Sequence, residues 1–207
     1  MILNWAIRRK RTKYFNIFLG VMLAFLFISI QVSYANETEQ PSLPTADLPL
    51  FITSAGQSPG GMIVSILCKR NKIECEFHPL AKAENLKGFK TLIIALGSSL
   101  KGMGMAGISI VDELNRVEKL IEEARKQNML IIGAHIEGEA RRGGYCEEII
   151  DLVAPRVDYL IVRSDGNKDG RFDLIAKEKN IPLIIIKETI KLNNLLKEMF
   201  IKTNQDK

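Results

Sequence analysis

The sequence predicts an α/β fold: three layers, with a mostly parallel six-stranded sheet in the order 2-1-3-4-5-6, preceded by an N-terminal hydrophobic helix. Three observations predict it. Short, nearly continuous runs of Ile, Leu and Val recur along the chain, as strands buried on both faces require. Stretches of helical period separate them, so parallel strands are joined by helical crossovers. The small, polar, glycine-rich segments all follow strands, whereas the turns before strands (NKIE, KNIP) are plain connectors.

The elements follow in order. Residues 1–35 carry Arg8, Arg9, Lys10, Arg11 and Lys13 and no acid, then the uncharged run Ile17–Ala35. That run spans about 28 Å as a helix at 1.5 Å per residue. A basic flank, an apolar core and small residues at Ser33 and Ala35 read as a signal peptide or a single transmembrane anchor, with the remainder exported. Residues 36–49, with three prolines, read as a linker. The folded domain is expected over 50–201, with a disordered tail at 202–207.

Within the domain, strands are expected at Leu50–Thr53, Thr91–Leu96, Met129–Ala134, Tyr159–Val162 and Pro182–Ile186. IECEFH (Ile73–His78) alternates, with Glu74 and Glu76 turned away from the core, and suits an edge strand. Helices are expected at Pro59–Arg70, Ile110–Gln127, Gly144–Val153, Phe172–Lys179 and Ile190–Ile201. The longest has Ile110, Leu114, Val117, Ile121 and Ala124 on one face, behind a capping box of Ser109 and Asp112.

Charge excludes one function class. The chain has 29 basic and 24 acidic residues, but five basic residues lie in 1–35, which leaves 24 against 24. No nucleic-acid footprint survives that subtraction. Cys68, Cys75 and Cys146 are too few, and oddly numbered, for a disulfide framework. A Cys68–Cys75 bridge is compatible with export but is not specified.

In a sheet of this order a ligand sits beyond the carboxyl ends of the strands, between strands 1 and 3. In TSAGQSPGG, Ser58 suits an N-cap and Pro59 a first helical position, and Gly60 and Gly61 bare backbone N–H groups to an anion. Gly56, Gln57, Ser58, Gly60, Gly61, Ser98, Ser99 and Lys101 are therefore candidate ligand-binding residues, with Arg141 and Arg142 supplying positive charge. Gly102-Met-Gly104-Met-Ala-Gly107 fits G-x-G-x-x-G, but it follows the third strand at a distance, and the nearest acid at the next strand's end is Glu137, 30 positions on rather than about 20. It reads as a mobile loop over the crevice rather than a dinucleotide site. His135 and Cys146 are the candidates for a base and a nucleophile, without a visible third member.

The stretch SDGNKDGRFD places Asp165, Asn167, Asp169, Gly170 and Asp173 at positions 1, 3, 5, 6 and 9 of a calcium loop, with Phe172 at position 8. Position 12 is Ala176 rather than glutamate, so only a weak calcium site is expected there, structural rather than catalytic. The alternative is an Asp/Asn/Gly turn capping the next helix.

Four segments taken together, TSAGQSPGG, LKGFKTLIIALGSSLKGMG, IIGAHIEGEARRGG and DYLIVRSDGNKDG, resemble a family of exported bacterial proteins that carries only a domain-of-unknown-function label. The resemblance runs from about Leu50 to Phe200. It implies an extracytoplasmic Rossmann-like or flavodoxin-like domain and supplies no catalytic residues. The sequence thus reads as an exported domain that binds a small anionic molecule and touches a membrane through its N-terminal segment alone. The alternatives are a hydrolase or transferase using His135, Cys146 or a loop serine, and a protein-interaction module.

Overall fold

A computed structural model describes residues 42–201. The expected signal or anchor segment at 1–35, the first part of the linker and the tail at 202–207 lie outside the described residues. Within them, no helix is long and apolar enough to cross a membrane.

Six parallel strands form one sheet in the order β2-β1-β3-β4-β5-β6, as the sequence predicts. They are β1 (Leu50–Ala55), β2 (Cys75–Phe77), β3 (Thr91–Leu96), β4 (Leu130–His135), β5 (Tyr159–Arg163) and β6 (Leu183–Ile186). The central pair is in register from Leu50↔Thr91 to Ala55↔Leu96. β1 and β3 are buried at every position, which is why their sequence runs are continuous rather than alternating. β2 is shorter than its expected run and lies at the edge, with Glu76 exposed.

Alternate strand residues feed two cores. On one face Phe51, Leu92, Ile94, Ile131 and Leu160 meet α3 (Ile110–Lys126), α4 (Cys146–Val153) and α5 (Arg171–Lys179). On the other, Leu50, Ile52, Ile93, Ile132 and Ile161 meet α1 (Gly60–Arg70) and α6 (Leu192–Ile201). Residues expected as the end of the linker pack here too. Ala46 is buried, and its N–H donates to the Met199 carbonyl at 3.1 Å. The capping box at α3 forms as expected: Ser109 Oγ accepts from the Asp112 N–H, and Asp112 Oδ2 accepts from the Ser109 N–H, both at 3.1 Å.

One expectation is corrected. Leu100–Ala106 is not a mobile loop but a helix, α2, whose N-cap Ser99 accepts from the Gly102 N–H at 3.0 Å. The G-x-G-x-x-G spacing has a packing explanation. A Cβ on Gly102 would overlap the Gln57 carbonyl oxygen, and Gly107 closes the helix with a left-handed φ of 66°. Gly102 lets α2 lie on the loop after β1.

Candidate functional site

The loops after β1 and β3 are joined at the carboxyl ends of their strands. Gln57 and Ser98 form an isolated antiparallel bridge, and the Ser99 N–H donates to the Gly56 carbonyl at 2.8 Å. Gln57 holds a left-handed φ of 56° to make this turn. Glu137, from the loop after β4, reaches across from the other side of β3.

Two of the backbone donors expected to cradle an outside anion, at Gly56 and Gly60, are filled by the chain's own carboxylates. Glu113 Oε1, from α3, accepts from the Gly56 N–H at 2.8 Å and from Gln57 Nε2 at 3.0 Å. Glu113 is fully buried. Its charge is balanced by Arg116, whose Nε lies 2.8 Å from Oε2 and whose other nitrogens donate to the carbonyls of Ser54 and Ala81. At the start of α1, Glu137 Oε2 accepts from the Gly60 N–H at 2.8 Å, where an anion gains from the helix dipole. Glu137 Oε1 accepts from Arg141 Nε at 3.0 Å. The sequence reading identified donors suited to carboxylates and missed that the protein supplies them.

Other expected site residues also have internal work. Ser98 Oγ accepts from the Tyr145 N–H at 3.2 Å, and Ser99 caps α2. A Cβ on Gly61 would sit 2.6 Å from both Ser54 Oγ and the Phe77 ring, so this glycine serves close packing of α1 on the sheet. Arg142 does not join Arg141. It binds Glu147, Asp169 Oδ2 at 2.7 Å and the Gly166 carbonyl, with its guanidinium 5.8 Å from the Phe172 ring centre. These carboxylates, Asp169 foremost, raise its pKa.

Two cations and one buried hydroxyl at the crevice lack full partners among the described residues. Ser58 is 5% exposed, and its Oγ has no hydrogen-bond partner. Lys101, exposed on α2, makes no ion pair among the described residues. Among the described residues, Arg141 is bonded through Nε alone, which leaves its two outer nitrogens without a partner there, and its side chain is 34% exposed. A Cβ built on Gly97 would meet Ser58 Oγ at 2.8 Å, Arg141 Cβ at 3.2 Å and Glu137 Oε2 at 3.3 Å, so these three converge over one glycine. Ser58, Lys101 and Arg141 line a crevice of about 370 Å³ with Gln57, Ser99 and the apolar Met62, Phe77 and Met105. That volume falls within the roughly 300–1,000 Å³ common for small-molecule sites. A larger hollow of about 650 Å³ lies at the amino ends of the strands. Its arginines are already paired, Arg156 with Glu118 across the lining at 2.8 Å and Arg125 with Asp158 at 2.6 Å.

His135 and Cys146 are both buried at 0% exposure. His135 Nδ1 is 2.9 Å from the Leu96 carbonyl, and its ring stacks on Phe172. Burial lowers its pKa and keeps the imidazole neutral. Burial also pushes the Cys146 thiol up to about 11, so it is not a ready thiolate.

The acidic loop after β5 turns its carboxylates toward arginines and its own backbone. Arg163 binds Asp165 and holds that carboxyl at about 2; Arg142 does the same for Asp169. Asn167 Oδ1 accepts from the Phe172 N–H at 2.9 Å, and its Nδ2 donates to Asp173. This is the helix-capping turn that the sequence allowed as the alternative. Among the described residues, no group of three or more His, Cys, Asp or Glu is placed to hold a metal ion.

No curated protein sequence matches the chain. Among solved structures, a protein from Desulfitobacterium hafniense described as lipolytic and of the G-D-S-L family has 16% identity and a TM-score of 0.33, covering 68% of this chain and 77% of its own. A GDSL-like lipase from Bacteroides thetaiotaomicron has 12% identity and a TM-score of 0.37, covering 83% and 97%. Similarity at this level says nothing of the reaction or ligand of this chain. Residues 47–200 match the family described as "Domain of unknown function (DUF6305)", and the chain belongs to that family.

Proposed function

We propose that this domain binds a small anionic molecule, outside the cytoplasm, in the crevice over the loops after β1 and β3. One observation carries the reading. Once the protein's own carboxylates have filled the Gly56 and Gly60 amides, Lys101 and Arg141, whose outer nitrogens have no partner among the described residues, still line one hollow. Two cations that line one opening favour an anion. The basic segment before an apolar run supports export. Ser58 makes no hydrogen bond to a base, which favours binding over acyl transfer.

The test is a thermal-shift screen of inorganic phosphate, sugar phosphates and short carboxylates, followed by calorimetry. A true ligand at 100 times its Kd stabilises by about 2.7 kcal/mol. That is a rise in Tm of about 5–10 °C for a domain of this size. Lys101→Ala and Arg141→Gln should each weaken binding about tenfold, the value of one charge-assisted hydrogen bond. If no anion stabilises the protein, or if the double variant binds as tightly as wild type, the reading fails.

A further inference from the structure

The crevice lining mixes two chemistries: Lys101 and Arg141 with the polar Gln57, Ser58 and Ser99, and an apolar set of Met62, Phe77, Pro79 and Met105. Met62 is 53% exposed and Met105 80% exposed. Leu80 and Leu100, at 43% and 62%, flank these residues in sequence. Solvent-facing methionines on two different helices, α1 and α2, meeting over one opening are not needed for either core. Methionine adapts to apolar bodies of varied shape, and exposed apolar surface of this kind marks a binding site.

We propose that the ligand is an amphipathic anion: a carboxylate or phosphate head held by Lys101 and Arg141, with a short alkyl body lying across Met62, Phe77 and Met105. This rests on the anion-binding reading above and adds the apolar half. The head receives charge-assisted hydrogen bonds from the arginine's outer nitrogens and the lysine ammonium. The body removes apolar area from water, and each added methylene should tighten binding about two- to fourfold while it stays inside the crevice. We take the occupant to be a free monomer, because a crevice of about 370 Å³ lined by the loop after β1 and by α2 is the size of a single small-molecule site.

The experiment is calorimetric titration of the full chain with butyl, hexyl and octyl phosphate below their aggregation concentrations. Octanoate, inorganic phosphate and 1-octanol are the comparison arms. The proposal expects affinity to climb along the alkyl series and inorganic phosphate to bind at least tenfold more weakly than octyl phosphate. It also expects the series to flatten in Met62→Ser/Met105→Ser, whose exposed positions leave folding intact. Whether octanoate or octyl phosphate binds tighter identifies the head. If inorganic phosphate binds as tightly as octyl phosphate, the apolar half is overturned and the anion reading stands. If 1-octanol binds as well as octyl phosphate, the anionic head is wrong and both readings fall. No binding by any compound also overturns both.

Discussion

Glu113→Ala should destabilise the domain by about 3–5 kcal/mol, the usual result of stranding one half of a buried ion pair. The carboxylate is fully buried and accepts from the Gly56 N–H, from Gln57 and from Arg116. Removing it leaves the Arg116 guanidinium, 12% exposed, without a counter-charge, and leaves the Gly56 N–H without an acceptor. Both penalties act at one point, the turn that joins β1 to α1. For a domain of this size the loss is about 10 °C in Tm. Urea unfolding followed by circular dichroism reads it directly. Glu113→Leu combined with Arg116→Met should recover part of the loss, because the stranded charge is gone, but not all of it. Arg116 also satisfies the carbonyls of Ser54 and Ala81. A single-variant loss below about 1 kcal/mol would mean that this pair does not organise the loop.

Phe172→Ala is the second large expectation, again about 3–5 kcal/mol, for a fully buried aromatic ring whose removal leaves a cavity. Phe172 stacks on His135 with ring centres 5.4 Å apart and lies beneath the Arg142 guanidinium. It thus anchors the loop after β5 to the end of β4. The variant should also alter the pH response. Burial holds the folded pKa of His135 below its ordinary 6.5, so the unfolded chain takes up the proton first. That contribution to stability is fully present above about pH 6.5 and is lost as pH falls through the folded pKa. Water admitted by the cavity should bring the two pKa values together and reduce the slope of stability against pH in that window. Unfolding midpoints at several pH values compare the two proteins; a slope as steep as wild type contradicts the account.

The fold was legible because burial on both faces leaves an unmistakable mark. β1 and β3 read as unbroken apolar runs and are buried throughout, while β2 alternates and lies at the edge. The helix α2 was hidden by its three glycines, Gly102, Gly104 and Gly107, which look like a loop to propensity alone. The close approach of Gly102 to the Gln57 carbonyl explains the first and the left-handed C-cap the last; the former is a tertiary fact. The site was legible in place but not in detail. The loops with Ser58 and Arg141 do meet, while Arg142 is drawn off to Asp169 and Glu147. Glu113 had a usable signal: it stands four, seven and eleven residues before the buried Val117, Leu120 and Ala124, a charge inside an apolar helical stripe. Such a residue is held inward by partners. Glu137 offered no such signal, because its partner Gly60 is 77 positions away and the pairing depends on the sheet order.

The most direct measurement is amide chemical-shift mapping of the protein during titration with octyl phosphate. The account predicts changes concentrated at Ser58, Ser99, Lys101 and Arg141, with the Gly56 and Gly60 amides moving little because Glu113 and Glu137 already hold them. Changes centred on the hollow at Arg125 and Arg156, or large changes at Gly56 and Gly60 as their carboxylates are displaced, would contradict it.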